Sequence, residues 1–148
     1  MLEIYCDGAC RNNQGDSNIG AYGVYMKYKE HEKRISGIEY NTTNNKMELR
    51  ACIEAFKKVK NKKVPTKVYL DSAYVLNGVT SWMDKWKQNN WKTSNKKDVL
   101  NKELWIELDE LKEEFDNIEF IKVKGHSGNY GNEQADLLCN EAMDNTLN

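Results

Sequence analysis

The sequence predicts a mixed α/β fold in which one five-stranded sheet carries helices on both faces. Three observations lead to this prediction: strand patterns fill the first forty residues, two later apolar strands follow helices, and three longer stretches have helical periodicity. Consecutive early strands form an antiparallel meander, whereas strands separated by a helix pair in parallel through a crossover. The order of the elements therefore predicts both kinds of pairing in one sheet.

Five segments have strand patterns. The second and third are joined by a short polar turn, which is typical of a hairpin. In chain order the segments are LEIYC (2–6), GAYGVYMKY (20–28), EKRISGIEY (32–40), KVYLD (67–71) and IEFIKVK (118–124). We expect the first strand to end at Asp7 and to lie beside the fourth, because the meander occupies its other side.

Helical patterns fill much of the remaining chain. The first helix is predicted from about Thr43 to Lys60, and two short helices are predicted in 72–79 and 81–88, before a polar loop. The first helix has an apolar face made of Leu49, Cys52, Ile53, Phe56 and Val59. A fourth helix (102–115) offers Leu104, Ile106, Leu108, Leu111 and Phe115 for burial, and a last helix is predicted at 132–143.

Composition limits the possible functions. The chain has 148 residues, enough for a single domain (1–148) with a real core, and a net charge of −1 gives no overall attraction to nucleic acid or membranes. No apolar run approaches the ~20 residues that span a bilayer.

The four cysteines lie in apolar or strand-like segments, and the N-terminal residues do not resemble a secretion signal, so we expect reduced thiols and a cytoplasmic protein. The two histidines lie in unrelated segments, which argues against structural zinc.

Four acidic residues each have an ordinary local explanation. Asp7 precedes a glycine, as in many turns, and Asp71 stands where a helix N-cap would be. Glu48 follows Asn45 by three residues, which allows a capping box. Asp136 lies early in the last helix, where the helix dipole favours an acid. Taken singly, none of these residues indicates a function.

Taken together, the four acids indicate a metal site. Asp7 and Asp71 follow apolar strands that should be neighbours, and Glu48 falls inside the apolar half of its helix. Clustered carboxylates raise one another's pKa values, and no Lys or Arg in these segments is an obvious partner. Hard cations such as Mg²⁺ or Mn²⁺ suit such oxygens, and two ions about 4 Å apart can activate a water and stabilise a leaving oxygen of a phosphodiester.

Five motifs resemble those of type 1 ribonuclease H in their order and approximate spacing. They are YCDGAC (5–10), TTNNKMELRA (42–51), YLDSAYV (69–75), WKTSNKK (91–97) and VKGHSGNYGNEQAD (123–136). The resemblance, which runs from Leu2 to about Met143, implies a ribonuclease H-like fold and a monomer that cuts the RNA strand of an RNA–DNA hybrid. It implies 5′-phosphate and 3′-hydroxyl products, two Mg²⁺ ions with Mn²⁺ as a possible substitute, and no organic cofactor. The metal-binding and catalytic acids would be Asp7, Glu48, Asp71 and Asp136.

The family's loop histidine matches His126. Glycines flank its short segment, and it lies ten residues before Asp136. A solvated loop histidine is the simpler interpretation, but a titratable side chain near a metal site suits proton transfer or product release. We assign His126 an assisting role. The nucleophile should be water, because no Ser or Cys has a base at a convincing spacing.

The segment 81–102 is locally basic, with six lysines, two acids and three tryptophans. One interpretation is a solvated loop whose tryptophans anchor a small helix pair. In the resembled family, the corresponding segment is a protrusion that grips the DNA strand, and its lysines would neutralise phosphates. The resemblance implies substrate-binding roles, in the protrusion and around the first helix, for Asn13, Thr43, Asn44, Asn45, Trp82, Lys87, Trp91, Lys92, Lys96 and Lys97.

Two positions depart from the family pattern. Ala73 stands where the family often has Gln, and Leu100 stands where a Lys is frequent, so both weaken the expected affinity for a hybrid. Two alternatives stay open from the residues alone. One is a nucleic-acid-binding module without catalysis, and the other is a metal nuclease of similar core that cuts DNA.

Overall fold

Five strands form one mixed sheet in the order β3-β2-β1-β4-β5. The computed structural model describes residues 1–12, 18–123 and 129–147. The strands are β1 Leu2–Asn12, β2 Asn18–Tyr28, β3 His31–Tyr40, β4 Thr66–Leu70 and β5 Ile118–Lys122. The pairs β1–β2 and β2–β3 are antiparallel, whereas β1–β4 and β4–β5 are parallel. The predicted sheet is confirmed, including the position of β1 between the meander and β4.

The helices cover both faces of this sheet. They are α1 Asn44–Lys58, α2 Ala73–Asn77, α3 Met83–Gln88, α4 Lys102–Glu113 and α5 Tyr130–Leu147, and a π-helical turn, Gly78–Trp82, joins α2 to α3. Helix α1 approaches Gly8, while α5 approaches Gly23, the β2 partner of Asp7. Since consecutive strand residues face opposite sides, α1 and α5 lie on opposite faces. None of the helices described is long and apolar enough to cross a membrane.

The main core lies between the sheet and the layer made by α1 and α4. The predicted apolar face of α1 is buried along its whole length. In α4, however, the prediction missed Trp105, which is completely buried, while Leu104, Ile106 and Leu111 are only half-buried. The indole of Trp105 occupies the space left by the absent side chain of Gly78, and Leu108 and Phe115 are buried as predicted.

Strand β1 does not end at Asp7, contrary to the prediction. It continues to Asn12, because β2 pairs with it along its whole length, from Leu2–Tyr28 to Asn12–Asn18. Strand β4 pairs only with the first half of β1 and stops at Cys6–Leu70. Asp7 therefore lies inside a strand at the point where one of its two neighbours ends, and the interpretation of Asp7 as a turn residue is wrong.

Candidate active site

Asp7 and Asp71 lie on neighbouring strands at the carboxyl end of β4. They directly follow the last β1–β4 pair, Cys6–Leu70. Asp7 is buried, with 8% of its surface exposed, whereas Asp71 is partly exposed. Asp71 is not the helix cap, because Ser72 Oγ accepts the hydrogen bond from the Val75 N–H that opens α2. Its capping interpretation is therefore wrong, and its carboxylate is available for another role.

Glu48 reaches this edge from α1, which lies on the face of the sheet opposite to α5. Helix α1 is capped by Thr43, whose Oγ1 accepts from the Lys46 N–H at 3.1 Å, so the capping box between Asn45 and Glu48 is not formed. A side chain at Gly8 would overlap the α1 backbone at Met47 and Glu48. The glycine thus lets α1 lie directly on β1, which brings Glu48 to the acids at the strand edge.

Asp136 is brought to the cluster by a second close approach. A side chain at Gly23 would overlap the carbonyl oxygen of Ala135, so α5 can lie directly on β2 only because Gly23 has none. Cys139 Sγ donates to the carbonyl oxygen of Asp7 at 3.3 Å. Asp136 itself is exposed, and its carboxyl group lies close enough to Asp7 to raise the pKa of that residue. Sequence reasoning missed both glycines, although a glycine inside a strand pattern is a known sign of close backbone approach.

The two central acids, Asp7 and Glu48, form no ion pair with any described Lys or Arg. Burial, together with the negative charge of Asp7, raises the pKa of Glu48 to about 9. Burial and the neighbouring Asp136 raise the pKa of Asp7 to about 7, although the Gly8 N–H donates to Asp7 Oδ1 at 2.9 Å and opposes that rise. Glu48 Oε2 is buried and has no hydrogen-bond partner among the described residues. A buried carboxylate oxygen beside another acid is the environment that a cation would satisfy.

The oxygen donors fit a hard divalent cation, but they are not assembled into a complete chelate. In the part of the chain that the structure describes, no three His, Cys, Asp or Glu side chains are close enough to hold a metal ion as they stand. Asp71 and Asp136, the two outer acids, have solvent on one side.

A lysine that sequence reasoning missed accompanies Asp71. Lys122, the last residue of β5, is the register partner of Leu70. Its Nζ donates to the carbonyl oxygen of Asp71 and lies 3.9 Å from Asp71 Oδ1. The expectation that the acids lack an obvious cationic partner therefore fails for Asp71. No nearby sequence signal could have found this pair, since 51 positions separate its members.

Of the predicted substrate contacts near α1, three are described. Thr43, Asn44 and Asn45 are exposed at the start of α1, one helical turn before Glu48. Asn13 and His126 lie outside the described residues. The structure thus brings a polar corner next to the acids, on the same helix that supplies Glu48.

The tryptophans of segment 81–102 pack against one another. Ring centroids are 5.8 Å apart for Trp82–Trp86 and 6.2 Å apart for Trp86–Trp91, and Trp86 also contacts Trp105 of the core at 5.3 Å. The backbone of Trp91 is left-handed, with φ of 60°, a conformation that a bulky residue adopts only when its surroundings hold it there. This packing favours the interpretation that the tryptophans anchor the segment.

Half of the lysines in segment 81–102 are already paired. Lys87 contacts Asp109 at 3.2 Å, and Lys92 and Lys102 both pair with Asp98. Lys85, Lys96 and Lys97 are exposed and make no ion pair with any described residue. The positive charge that remains uncompensated is therefore concentrated in these three side chains.

An acid cluster at the open edge of a mixed sheet, with exposed polar and basic side chains nearby, is typical of hydrolases that use divalent cations to cut phosphodiesters. The family model for RNase H matches residues 1–144. A ribonuclease H of Dichelobacter nodosus is 49% identical over 97% of this chain and 93% of its own length. A ribonuclease H of Clostridium botulinum is 51% identical over 95% of this chain and 94% of its own. The chain therefore belongs to the ribonuclease H family.

Solved structures agree with this assignment. LC9-RNase H1, described as a type 1 RNase H with the type 2 active-site motif, is 30% identical and superposes with a TM-score of 0.80 over 97% of this chain and 72% of that one. LC11-RNase H1, solved in complex with an RNA/DNA hybrid, is 25% identical, with a TM-score of 0.73 and full coverage of both chains. The fold predicted from the sequence resemblance is confirmed.

Proposed function

We propose that this chain is an endonuclease that hydrolyses the RNA strand of RNA–DNA hybrids and leaves 5′-phosphate and 3′-hydroxyl ends. The observation that carries the proposal is the buried Oε2 of Glu48 beside Asp7, which no residue in the described part of the chain hydrogen-bonds. An uncompensated carboxylate pair has a raised free energy in the folded protein, which a bound cation would lower. Membership of the ribonuclease H family and the hybrid bound to LC11-RNase H1 support the choice of substrate.

The four acids would hold two Mg²⁺ ions, with Mn²⁺ as a possible substitute. Asp7 is central, because it interacts with Glu48 on one side and with Asp136 on the other, and Asp71 follows the neighbouring strand. When bound, the cations would supply an activated water and stabilise the leaving oxygen. Neither the donor set nor this chemistry calls for an organic cofactor.

The residues of the chain contribute orientation and proton handling. The Gly8 N–H and the main chain of β1 hold Asp7 in one orientation, and the close packing of α1 and α5 fixes the positions of Glu48 and Asp136. Held in this way, the backbone segments that carry the carboxylates need little reorganisation, and only the side chains would have to close on the cations. Water is the nucleophile, and His126 assists proton transfer or product release from a position outside the described residues.

The hybrid would lie across α1 and segment 81–102. Side chains of Asn13, Thr43, Asn44 and Asn45 would sense 2′-hydroxyls or their absence in the minor groove. Lys96 and Lys97 have no ion pair with a described residue, so they are the best placed to bind the DNA phosphates. Lys87 and Lys92 would first have to exchange Asp109 and Asp98 for phosphates. Trp82 and Trp91 would support the grip by holding the segment in place.

The remaining features proposed for the protein are a single catalytic domain, a monomeric state and a cytoplasmic location. All four cysteines are free thiols, and three of them are buried, which suits a reducing compartment. Segment 81–102 would be a protrusion within the domain. Sedimentation of the purified chain would test the monomeric state.

Cleavage of strand-labelled duplexes tests the function. Hybrids, RNA duplexes and DNA duplexes, each labelled on one strand, would be incubated with Mg²⁺ or with a chelator. We expect cleavage of the RNA strand of the hybrid only, and only with the metal. Cleavage of DNA would favour a DNA-directed nuclease of the same fold, and hybrid binding without metal-dependent cleavage would favour a non-catalytic binding module. Either result would overturn the proposal.

A further inference from the structure

Lys122 is the one Lys or Arg that pairs with any of the four acids within the described ranges. It ends β5, an edge strand, so its side chain lies at the same end of the sheet as Asp71. Its Nζ contacts both the carbonyl oxygen and the carboxylate of Asp71. Nothing in the proposed hydrolysis requires a positive side chain at this position, and a lysine beside a metal-binding acid therefore calls for an explanation.

Strand β5 holds the end of β4 at two consecutive points. The Val123 N–H donates to the carbonyl oxygen of Leu70 at 2.8 Å, and the Lys122 ammonium donates to the carbonyl oxygen of Asp71. Ser72 then caps α2. Without the lysine, the Val123–Leu70 hydrogen bond and the Ser72 cap still hold the main chain on both sides of Asp71, so the residue keeps its backbone position.

We propose that Lys122 is a positioning residue that competes with the divalent cation for the Asp71 carboxylate and thereby sets the metal concentration at which the site fills. This inference rests on the proposed role of Asp71 as a metal ligand. A positive charge 3.9 Å from Asp71 Oδ1 satisfies the carboxylate before a cation arrives, and it repels the cation as it binds. Since the main chain holds Asp71 independently, removal of the charge should strengthen metal binding rather than disorder the ligand.

The size of the effect follows from the exposure of the pair. Both side chains are about half exposed, at 46% for Lys122 and 42% for Asp71. For unit charges about 4 Å apart in a water-like dielectric, the interaction corresponds to about a fivefold change in an equilibrium constant. We therefore expect Lys122→Met to lower the Mg²⁺ concentration at half-saturation by about fivefold.

The test compares three variants at Lys122 with a matched lysine. Lys122→Met and Lys122→Gln remove the charge, and Lys122→Arg keeps it. The control, Lys67→Met, removes a lysine of β4 that is on the same face as Asp71 but ~13 Å away from it along the strand. At 0.15 M ionic strength a charge at that distance is largely screened. Half-saturation by Mg²⁺ would be measured without nucleic acid, from the rise in melting temperature and from calorimetry, and then from kcat on a hybrid.

We expect a lower Mg²⁺ midpoint for both neutral variants, and wild-type midpoints for Lys122→Arg and Lys67→Met. An unchanged or higher midpoint in the neutral variants would overturn the inference, and so would an equal fall in Lys67→Met. The second neutral variant keeps the test valid if one of the two folds poorly. If the neutral variants show these shifts in the Mg²⁺ midpoint but the wild-type protein leaves hybrids intact, the proposed function would be contradicted. The role of Lys122 in metal binding would still stand.

Discussion

The acid cluster and segment 81–102 both concentrate like charges, yet they are arranged in opposite ways. In the cluster, the two central carboxylates are buried, have raised pKa values and lack a cation among the described residues. In the segment, half of the lysines pair with acids, all six lie near the surface, and Trp86 packs edge-on against Trp105 of the core. In the proposed function, the buried carboxyl groups would serve the chemistry, whereas the exposed lysines would serve binding.

The largest expected effect comes from Glu48→Gln. The helix start depends on Thr43, so the variant should fold normally, yet it should lose hybrid cleavage by roughly 10³-fold or more, the equivalent of several kcal/mol of lost metal-dependent stabilisation. Initial rates at saturating Mg²⁺ would measure the loss, and circular dichroism would verify the helix content. Near-normal cleavage would mean that the inward orientation of Glu48 has no catalytic purpose.

A loss of roughly 10²- to 10⁴-fold in kcat is expected for His126→Ala, the range for lost acid–base assistance. The Mg²⁺ midpoint should stay unchanged, because the histidine is not proposed as a ligand. Steady-state kinetics over a range of pH would measure both quantities. An unchanged kcat would support the simpler interpretation of a solvated loop histidine.

The pH dependence of stability sharpens the comparison. The pKa values of Asp7 (about 7) and Glu48 (about 9) lie above those of the unfolded chain, near 4, so the folded protein binds more protons between about pH 4 and 9. Without metal, the free energy of unfolding should therefore fall as pH rises through this window. Asp7→Asn should remove part of the fall, on the order of 1–3 kcal/mol at pH 8. Urea unfolding with chelator would measure it, and a flat profile for the wild type would contradict the assignment.

The smallest effect is expected in the basic segment. Lys96→Ala with Lys97→Ala should weaken hybrid binding and reduce the slope of log affinity against log salt by about 2, one unit for each phosphate that is no longer neutralised. Lys92→Ala, which removes a lysine already paired with Asp98, should change the slope less. Fluorescence anisotropy, with catalysis blocked by a chelator, would measure the hybrid affinity of each variant over a range of salt concentrations. Equal slopes for all variants would show that the segment does not bind phosphates.

Most of the fold could be predicted from the sequence. The five strands, the main helices and the buried face of α1 follow from local periodicity, because burial of one face imposes a repeat of 2 or 3.6 residues on the chain. The choice of acids could also be anticipated, since Asp7 and Asp71 follow apolar strands and Glu48 occupies an apolar helix face. Trp105 was missed because its burial depends on the space above Gly78, which no periodic pattern records.

The sequence by itself determined the elements, their order and the acidic residues that are proposed as metal ligands. The tertiary structure decided what surrounds those residues. It continued β1 past Asp7 by pairing with β2, made Thr43 rather than Asn45 the helix cap, and placed Lys122 against Asp71. The physical reason is the range of the interactions: periodicity acts within one element, whereas strand register and helix docking join residues far apart in the chain, and only the folded sheet brings them together.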